Sequence, residues 1–285
     1  MKKIIVPLDF SVHAIPCIRK AVELASDGSE LLLVHFIELE YQPEYLVTAE
    51  FRPLTAEEEE QNKVRINEHS RAMQQAVETA TGLATGKNIR VLSELRIGAP
   101  YPGLVHFMEK HDPELVVIGA HTNPNHFYPM AGTLNERLMR RVTAPILTER
   151  LQKHATGIST ILYATAMEDA ETALARVVRR IADVNDAVVH LTWINTPGDF
   201  QRDQPVLEFM RDFAERIGFI RFTLNTYNDL TVEDGILSFA EDLRPDLVAM
   251  ATHGRTGLSR LFSRSASEEV ADQASFPLLT QLIRH

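Results

Sequence analysis

Two kinds of run alternate along the chain. Residues 4–8, 30–37, 88–95, 113–121 and 143–148 are short and mostly apolar. They are too short for helices and read as buried strands. Between them lie stretches with helical character: 14–26, a long helix running on to about residue 81, 98–109, and a segment opening at Thr133. Residues 38–60 form a looser insert with Pro43 and Pro53, and the Glu57–Glu60 run marks the solvated first turn of the long helix, where carboxylates suit the helix dipole. The second half repeats the order, with strands at 160–164, 187–193, 219–225, 245–253 and 277–280. Its helices fall at 169–182, 205–217 and 233–243, with a fourth opening at Ser265. Strands alternating with helices predict a parallel, doubly wound α/β sheet in each half.

The duplication is most exact late in each half. Pro113-Glu-Leu-Val-Val-Ile-Gly-Ala-His121 and Pro245-Asp-Leu-Val-Ala-Met-Ala-Thr-His253 stand 132 residues apart, in a register that runs without a gap to Pro145-Ile-Leu-Thr148 and Pro277-Leu-Leu-Thr280. Thr133-Leu-Asn-Glu136 and Ser265-Ala-Ser-Glu268 both fit a capping box. A strand, a loop and a helix N-terminus in that order can hold an anion, and ordinary capped helices show the same pattern. The repeat therefore establishes a shared architecture rather than a shared ligand. Two domains are expected, residues 1–150 and 157–285. Their last apolar strands would otherwise present bare edges to water. They are expected to pair across a pseudo-twofold axis as an internal dimer, with association into a homodimer as a further expectation.

Composition narrows the function. The formal net charge is −10, both halves are acidic, and no basic stripe appears, which argues against nucleic acid as a partner. The single Cys17 forbids an internal disulfide and fits a reducing compartment. No apolar run reaches membrane-spanning length, and the charges at Lys2 and Lys3 come too early for a signal peptide. A cytoplasmic protein with no membrane contact is expected. No Ser-His-Asp set, Gly-x-Ser-x-Gly elbow or Gly-x-Gly-x-x-Gly loop can be read. His35 and His190 lie inside apolar strands and are expected to be hydrogen-bonded core residues. His121 and His253 recur at one position, which points to structure, and His106 and His111 lack ligand spacing. No catalytic residue and no metal ligand is therefore assigned. Asp9, just after the first strand, serves either a ligand or the cap of the next helix.

The residues Val6-Pro-Leu-Asp-Phe-Ser11, Leu32-Leu-Val-His-Phe-Ile37, Gly98-Ala-Pro100, Pro113–His121 and His253-Gly-Arg-Thr-Gly-Leu-Ser-Arg260 together resemble the universal stress protein family, in its tandem two-domain form, over nearly the whole chain. The resemblance implies two flavodoxin-like domains, each a five-stranded parallel sheet with flanking helices, and no common enzymatic activity. One branch of that family binds ATP through a Gly-x2-Gly-x9-Gly-Ser/Thr loop, with an Asp after the first strand at the adenine; the other lacks the loop and does not bind ATP. Carried onto this sequence, the first-half ligand positions are Pro7, Asp9, Phe36, Ile118, Gly119, Thr122, Gly132, Thr133 and Leu134. The bound group is then ATP, with Mg²⁺ held mainly by phosphates and water. Thr122 stands where the loop expects its second Gly, and a Cβ there crowds a phosphate or bars a backbone angle that Gly adopts. In the second half Thr165 is aligned with Asp9, Leu230 with Gly98, Ala251 with Gly119 and Arg264 with Gly132, leaving Gly254 and Ser265 as matches. Three readings stay open: a non-enzymatic stress-response protein binding an adenine nucleotide in its first half, a nucleotide-free dimeric scaffold or chaperone-like protein, and an ATP-hydrolysing enzyme. The last lacks a Ser-Gly-Gly-x-Asp-Ser loop after the first strand.

Overall fold

The computed structural model describes residues 1–39, 55–120, 134–149, 157–252 and 276–283. The first half runs β1 (Lys3–Pro7), α1 (Ala14–Leu24), β2 (Ser29–Ile37), α2 (Ala56–Leu83), β3 (Ile89–Ile97), α3 (Pro100–His111), β4 (Leu115–Gly119), α4 (Leu134–Met139) and β5 (Ile146–Glu149). The second half follows with β6 (Thr160–Ala164), α5 (Thr172–Asn185), β7 (Val188–Asn195), α6 (Asp203–Ile217), β8 (Phe222–Asn228), α7 (Val232–Leu243), β9 (Leu247–Thr252) and β10 (Leu278–Leu282). Each half is a five-stranded parallel sheet, in the orders β3-β2-β1-β4-β5 and β10-β9-β6-β7-β8.

The expected pairing of the two last strands is present. β5 and β10 run antiparallel, with Leu147 opposite Leu279, Thr148 opposite Leu278 and Ile146 opposite Thr280, and join the halves into one ten-stranded sheet. Strands in the middle of that sheet are covered on both faces, which is why they read as continuous apolar runs. The outer strands β3 and β8 hold no fully buried residue, and Arg90, Ser93, Thr223 and Asn228 are exposed beside half-buried neighbours. On one face α1, α2, α5 and α6 bury a single core that runs through both halves, from Ile4, Leu33 and Leu147 to Leu279, Tyr163 and Phe213. The other face has two separate cores, one under α3 and α4 and one under α7.

The repeat goes deeper than the apolar runs. Gly103 on α3 and Gly235 on α7 stand 132 residues apart, and a Cβ on either would overlap the end of the neighbouring strand, the Phe36 ring in one half and Ile194 in the other. Both helices end on a left-handed residue, Asp112 and Arg244, just before Pro113 and Pro245. Local contacts set two of the element starts, the second of them later than the sequence reading. α2 begins at Ala56, so the Glu57–Glu60 run opens it as expected, and the start is fixed by a reciprocal capping box of Thr55 and Glu58 (Thr55 Oγ1 accepts from the Glu58 N–H at 3.2 Å, Glu58 from the Thr55 N–H at 2.8 Å). β8 starts at Phe222 because Gly218 and Phe219 close the end of α6: their N–H groups donate to the carbonyls of Glu215 and Ala214, and the Phe219 ring folds into the core. Among the described residues no helix is long and apolar enough to cross a membrane.

The seam makes a direct prediction. Leu147 and Leu279 are fully buried and face each other. Leu147→Ala should lower unfolding stability by about 2–5 kcal/mol in a urea titration, the range for a truncated core leucine. A loss no larger than that of an exposed-site control such as Leu83→Ala would show that the seam carries little of the fold.

Candidate functional site

In an open parallel sheet, ligands lie outside the carboxyl ends of the strands where the strand order reverses. In the first half that point falls between β1 and β4. Pro7 ends β1 and Ile118–Gly119 end β4, so these sequence-selected residues converge there. Asp9 follows β1 and is exposed; its carboxylate accepts the Ser11 N–H at 3.0 Å, an Asx turn, and Phe10 takes a left-handed φ of 57°. Asp9 does not cap α1, whose N-cap is His13 without a side-chain cap bond. Cys17 lies beneath the same crevice, its thiol pushed far above its ordinary range by burial, with the carboxylates of Glu149 and Asp9 adding to the effect. Glu149, at the end of β5, has its own pKa raised by burial, opposed by Lys20.

Gly119 is needed for a reason the sequence did not reveal. A Cβ there would stand 2.5 Å from the His13 Cβ, so its lack of a side chain lets the first turn of α1 lie on the end of β4. The Gly119 carbonyl in turn accepts a hydrogen bond from buried Asn135 Nδ2 at 2.6 Å, which ties the start of α4 to the strand. Leu134 packs on the α3–α4 core. The Phe36 ring is turned to that same face, against Gly103, with the Phe107 ring 6.4 Å away edge-on. Thr122, Gly132 and Thr133 of the expected phosphate loop lie outside the described residues, as do His121, His253, Gly254, Arg264 and Ser265. Among the described residues no three His, Cys, Asp or Glu side chains are placed to hold a metal ion.

The second half answers differently. The sheet register aligns Ile4 with Ile161, since each pairs with the first residue of the following central strand, Leu115 or Leu247. That spacing of 157 makes Ala166, not Thr165, the counterpart of Asp9, and Met167, at φ 62°, the counterpart of Phe10. The gapless spacing of 132 holds only for the later elements, because the insert after β2 lengthens the first half. Thr165 points inward instead. Its hydroxyl donates to Glu171 at 2.6 Å, the Tyr163 hydroxyl donates to the same carboxylate at 3.0 Å, and the Ala166 N–H donates to its other oxygen at 2.9 Å. Glu171 is 1% exposed, and burial raises its pKa while these donors oppose the rise. A polar glutamate in a capping turn gave no signal for this buried network.

The universal stress protein family matches residues 1–149 and 229–280, more than half of the chain. The chain belongs to the universal stress protein family. Its fold is similar to that of a universal stress protein from Archaeoglobus fulgidus DSM 4304, at 12% identity over 99% of this chain and 96% of that one, with a TM-score of 0.68. It is also similar to a functionally unknown protein from Pseudomonas aeruginosa PAO1, at 14% identity over 99% and 93%, with a TM-score of 0.53. No curated protein is significantly similar to it. The stretch that the family match leaves out, between residues 149 and 229, holds β6, α5, β7, α6 and β8, so this universal stress protein keeps the family fold where its sequence has drifted.

The close approach at Gly119 can be tested by substitution. Gly119→Ala should cost about 1–3 kcal/mol through overpacking, and His13→Gly in the same chain should recover most of it; additive losses in a denaturation cycle would mean the two do not meet. For Glu171, a raised folded pKa means the folded chain binds the proton more tightly than the unfolded one. Its contribution is fully present below the ordinary value of 4.5 and is lost as pH rises through the raised value. The stability of wild type relative to Glu171→Gln should therefore fall with pH above 4.5, measured as the difference between their urea midpoints. A difference that is flat in pH would contradict the burial of an ionisable group there.

Proposed function

We propose that this universal stress protein binds an adenine nucleotide, ATP with Mg²⁺, in its first half, and acts in the cytoplasm as a stress-response protein without turning the nucleotide over. One observation carries the reading: the exposed Asp9 carboxylate stands at the reversal point between β1 and β4, and its counterpart Ala166 has no polar side chain. A carboxylate there suits the hydroxyls of a ribose or the amino group of a base, both donors. The phosphates fall to Gly119, Gly132 and the Thr133 hydroxyl at the start of α4, with Mg²⁺ on the phosphates and water rather than on protein ligands. The second half contributes the fold. A second reading, a nucleotide-free dimeric scaffold, draws on the close packing of His13 against Gly119 at the end of β4.

Calorimetric titration of ATP separates the two. About one site per chain is expected. Asp9→Ala should weaken it by about tenfold or more, the worth of one hydrogen bond to a charged group. Gly132→Arg should weaken it as well, and Arg264→Gly should leave it unchanged. Two equal sites would refute the asymmetry; no binding by wild type would give the case to the scaffold. Release of product from ATP would overturn the non-enzymatic part.

A further inference from the structure

Two histidine rings are tied to the turn that carries Asp9. His35 Nδ1 lies 2.6 Å from the Leu8 carbonyl oxygen. That oxygen can only accept, so the proton is on Nδ1. His35 Nε2 lies 2.6 Å from Nδ1 of His69, on α2. A neutral His35 must accept there, and His69 must donate. The two ring centroids are 4.7 Å apart with the planes 23° from parallel, as an in-plane hydrogen bond requires, and Phe10 closes the cluster, 4.5 Å from His35 and 5.9 Å from His69. The Leu8–His35–His69 chain thus joins the end of β1, the end of β2 and the middle of α2, at the turn that sets the direction of Asp9.

This arrangement can hold one extra proton but not two. A first proton, on His69 Nε2, leaves both hydrogen bonds intact and makes the bond between the rings charge-assisted. A second must go to His35 Nε2, where it sets two N–H groups and two positive charges face to face. His35 is 8% exposed, so the second charge must leave the cluster to be solvated. The surroundings do not relieve it. Burial, the largest effect, and His69 both disfavour a charged His35; the Leu8 carbonyl and, more weakly, Asp9 on the turn favour it. On α2 the Arg65 guanidinium donates to the Glu38 carbonyl at the end of β2, and on β3 the residue opposite His35 is the apolar Leu95.

We propose that His35 and His69 are positioning residues for Asp9: the bond between them fixes the turn of residues 8–11, and uptake of the second proton releases it, so acid withdraws Asp9 from the crevice. The ligand consequence rests on the nucleotide reading; the response of the turn belongs to the unliganded protein and is tested there. The full chain, without nucleotide, is titrated from about pH 8 to about pH 5 by NMR, a span that brackets the ordinary histidine range, following the histidine side chains and the amides of Asp9, Phe10 and Ser11. The turn amides should move with proton uptake by His35, and the opening equilibrium of the turn should grow by up to about tenfold per pH unit below it. His69→Gln keeps an N–H donor for His35 and offers an acceptor once His35 is charged. It should leave the turn amides in place at the alkaline end and abolish their acid response. His35→Phe, which removes the bond to Leu8, should displace the turn at every pH. A wild-type turn that ignores the histidine titrations, or a His69→Gln turn that keeps the wild-type acid response, overturns the proposal. ATP titrations bear only on the nucleotide reading: no binding at any pH would end that reading, and the turn amides would still decide the role of the two histidines.

Discussion

The antiparallel pairing of β5 with β10 is the contact on which the rest depends. Each half ends in an apolar strand whose outer edge would be a row of unpaired backbone groups. Placing Leu147 opposite Leu279 satisfies both edges at once and makes the sheet continuous. It also brings α1 near α5 on one face, where the Arg180 guanidinium reaches the Ala25 carbonyl at 3.4 Å and a single core forms. Because the pairing is antiparallel, the strands of the two halves point in opposite directions. Their carboxyl ends, and with them the two crevices, open on opposite rims of the sheet. Among the described residues, each crevice is therefore bounded by the strand ends of its own half.

Much of the fold was legible because it is written in redundant signals. Buried strands in the middle of a sheet need apolar side chains on both faces, and that produces runs such as residues 115–118 that few other elements imitate. The repeat then supplied the seam. Boundaries were less legible where a side chain serves an element it does not belong to. Phe219 looks like the first residue of a strand, yet it closes the helix before it. Thr55 looks like a loop residue, yet with Glu58 it opens α2, and the Thr-x-x-Glu spacing was there to be read.

The candidate site was legible in part. Residues at strand ends, Pro7, Asp9 and Gly119, could be placed because strand ends are where the fold puts them. What each one touches could not. Gly119 was selected as a glycine that a phosphate could approach; the structure adds that a Cβ there would meet the His13 Cβ. Asn135, which binds the Gly119 carbonyl, lies 16 residues away along the chain and within an ordinary helix start. The counterpart of Asp9 was misplaced by one residue: Thr165 stands 156 residues after Asp9, and the strands of the two halves are offset by 157. Pairing register, which sequence alone does not give, moves the match from Thr165 to Ala166.

That shift changes how the asymmetry between the halves is understood. Had Thr165 replaced Asp9, the second crevice would have lost a carboxylate and kept a hydroxyl. Instead the hydroxyl is turned into the core, where it joins Tyr163 and the Ala166 N–H around Glu171. In the first half the Leu8 carbonyl and two imidazoles form the hydrogen-bonded chain beneath the turn, and the acid stands outside at Asp9. A buried carboxylate with three donors is satisfied and has little left to offer a ligand. An exposed carboxylate on a turn fixed from beneath is oriented and still has acceptor capacity. The two halves therefore differ in which side of the same turn carries the negative charge. That difference sits in the packed ends of β1 and β6, and restoring a glycine-rich loop to the second half would not by itself recreate the first.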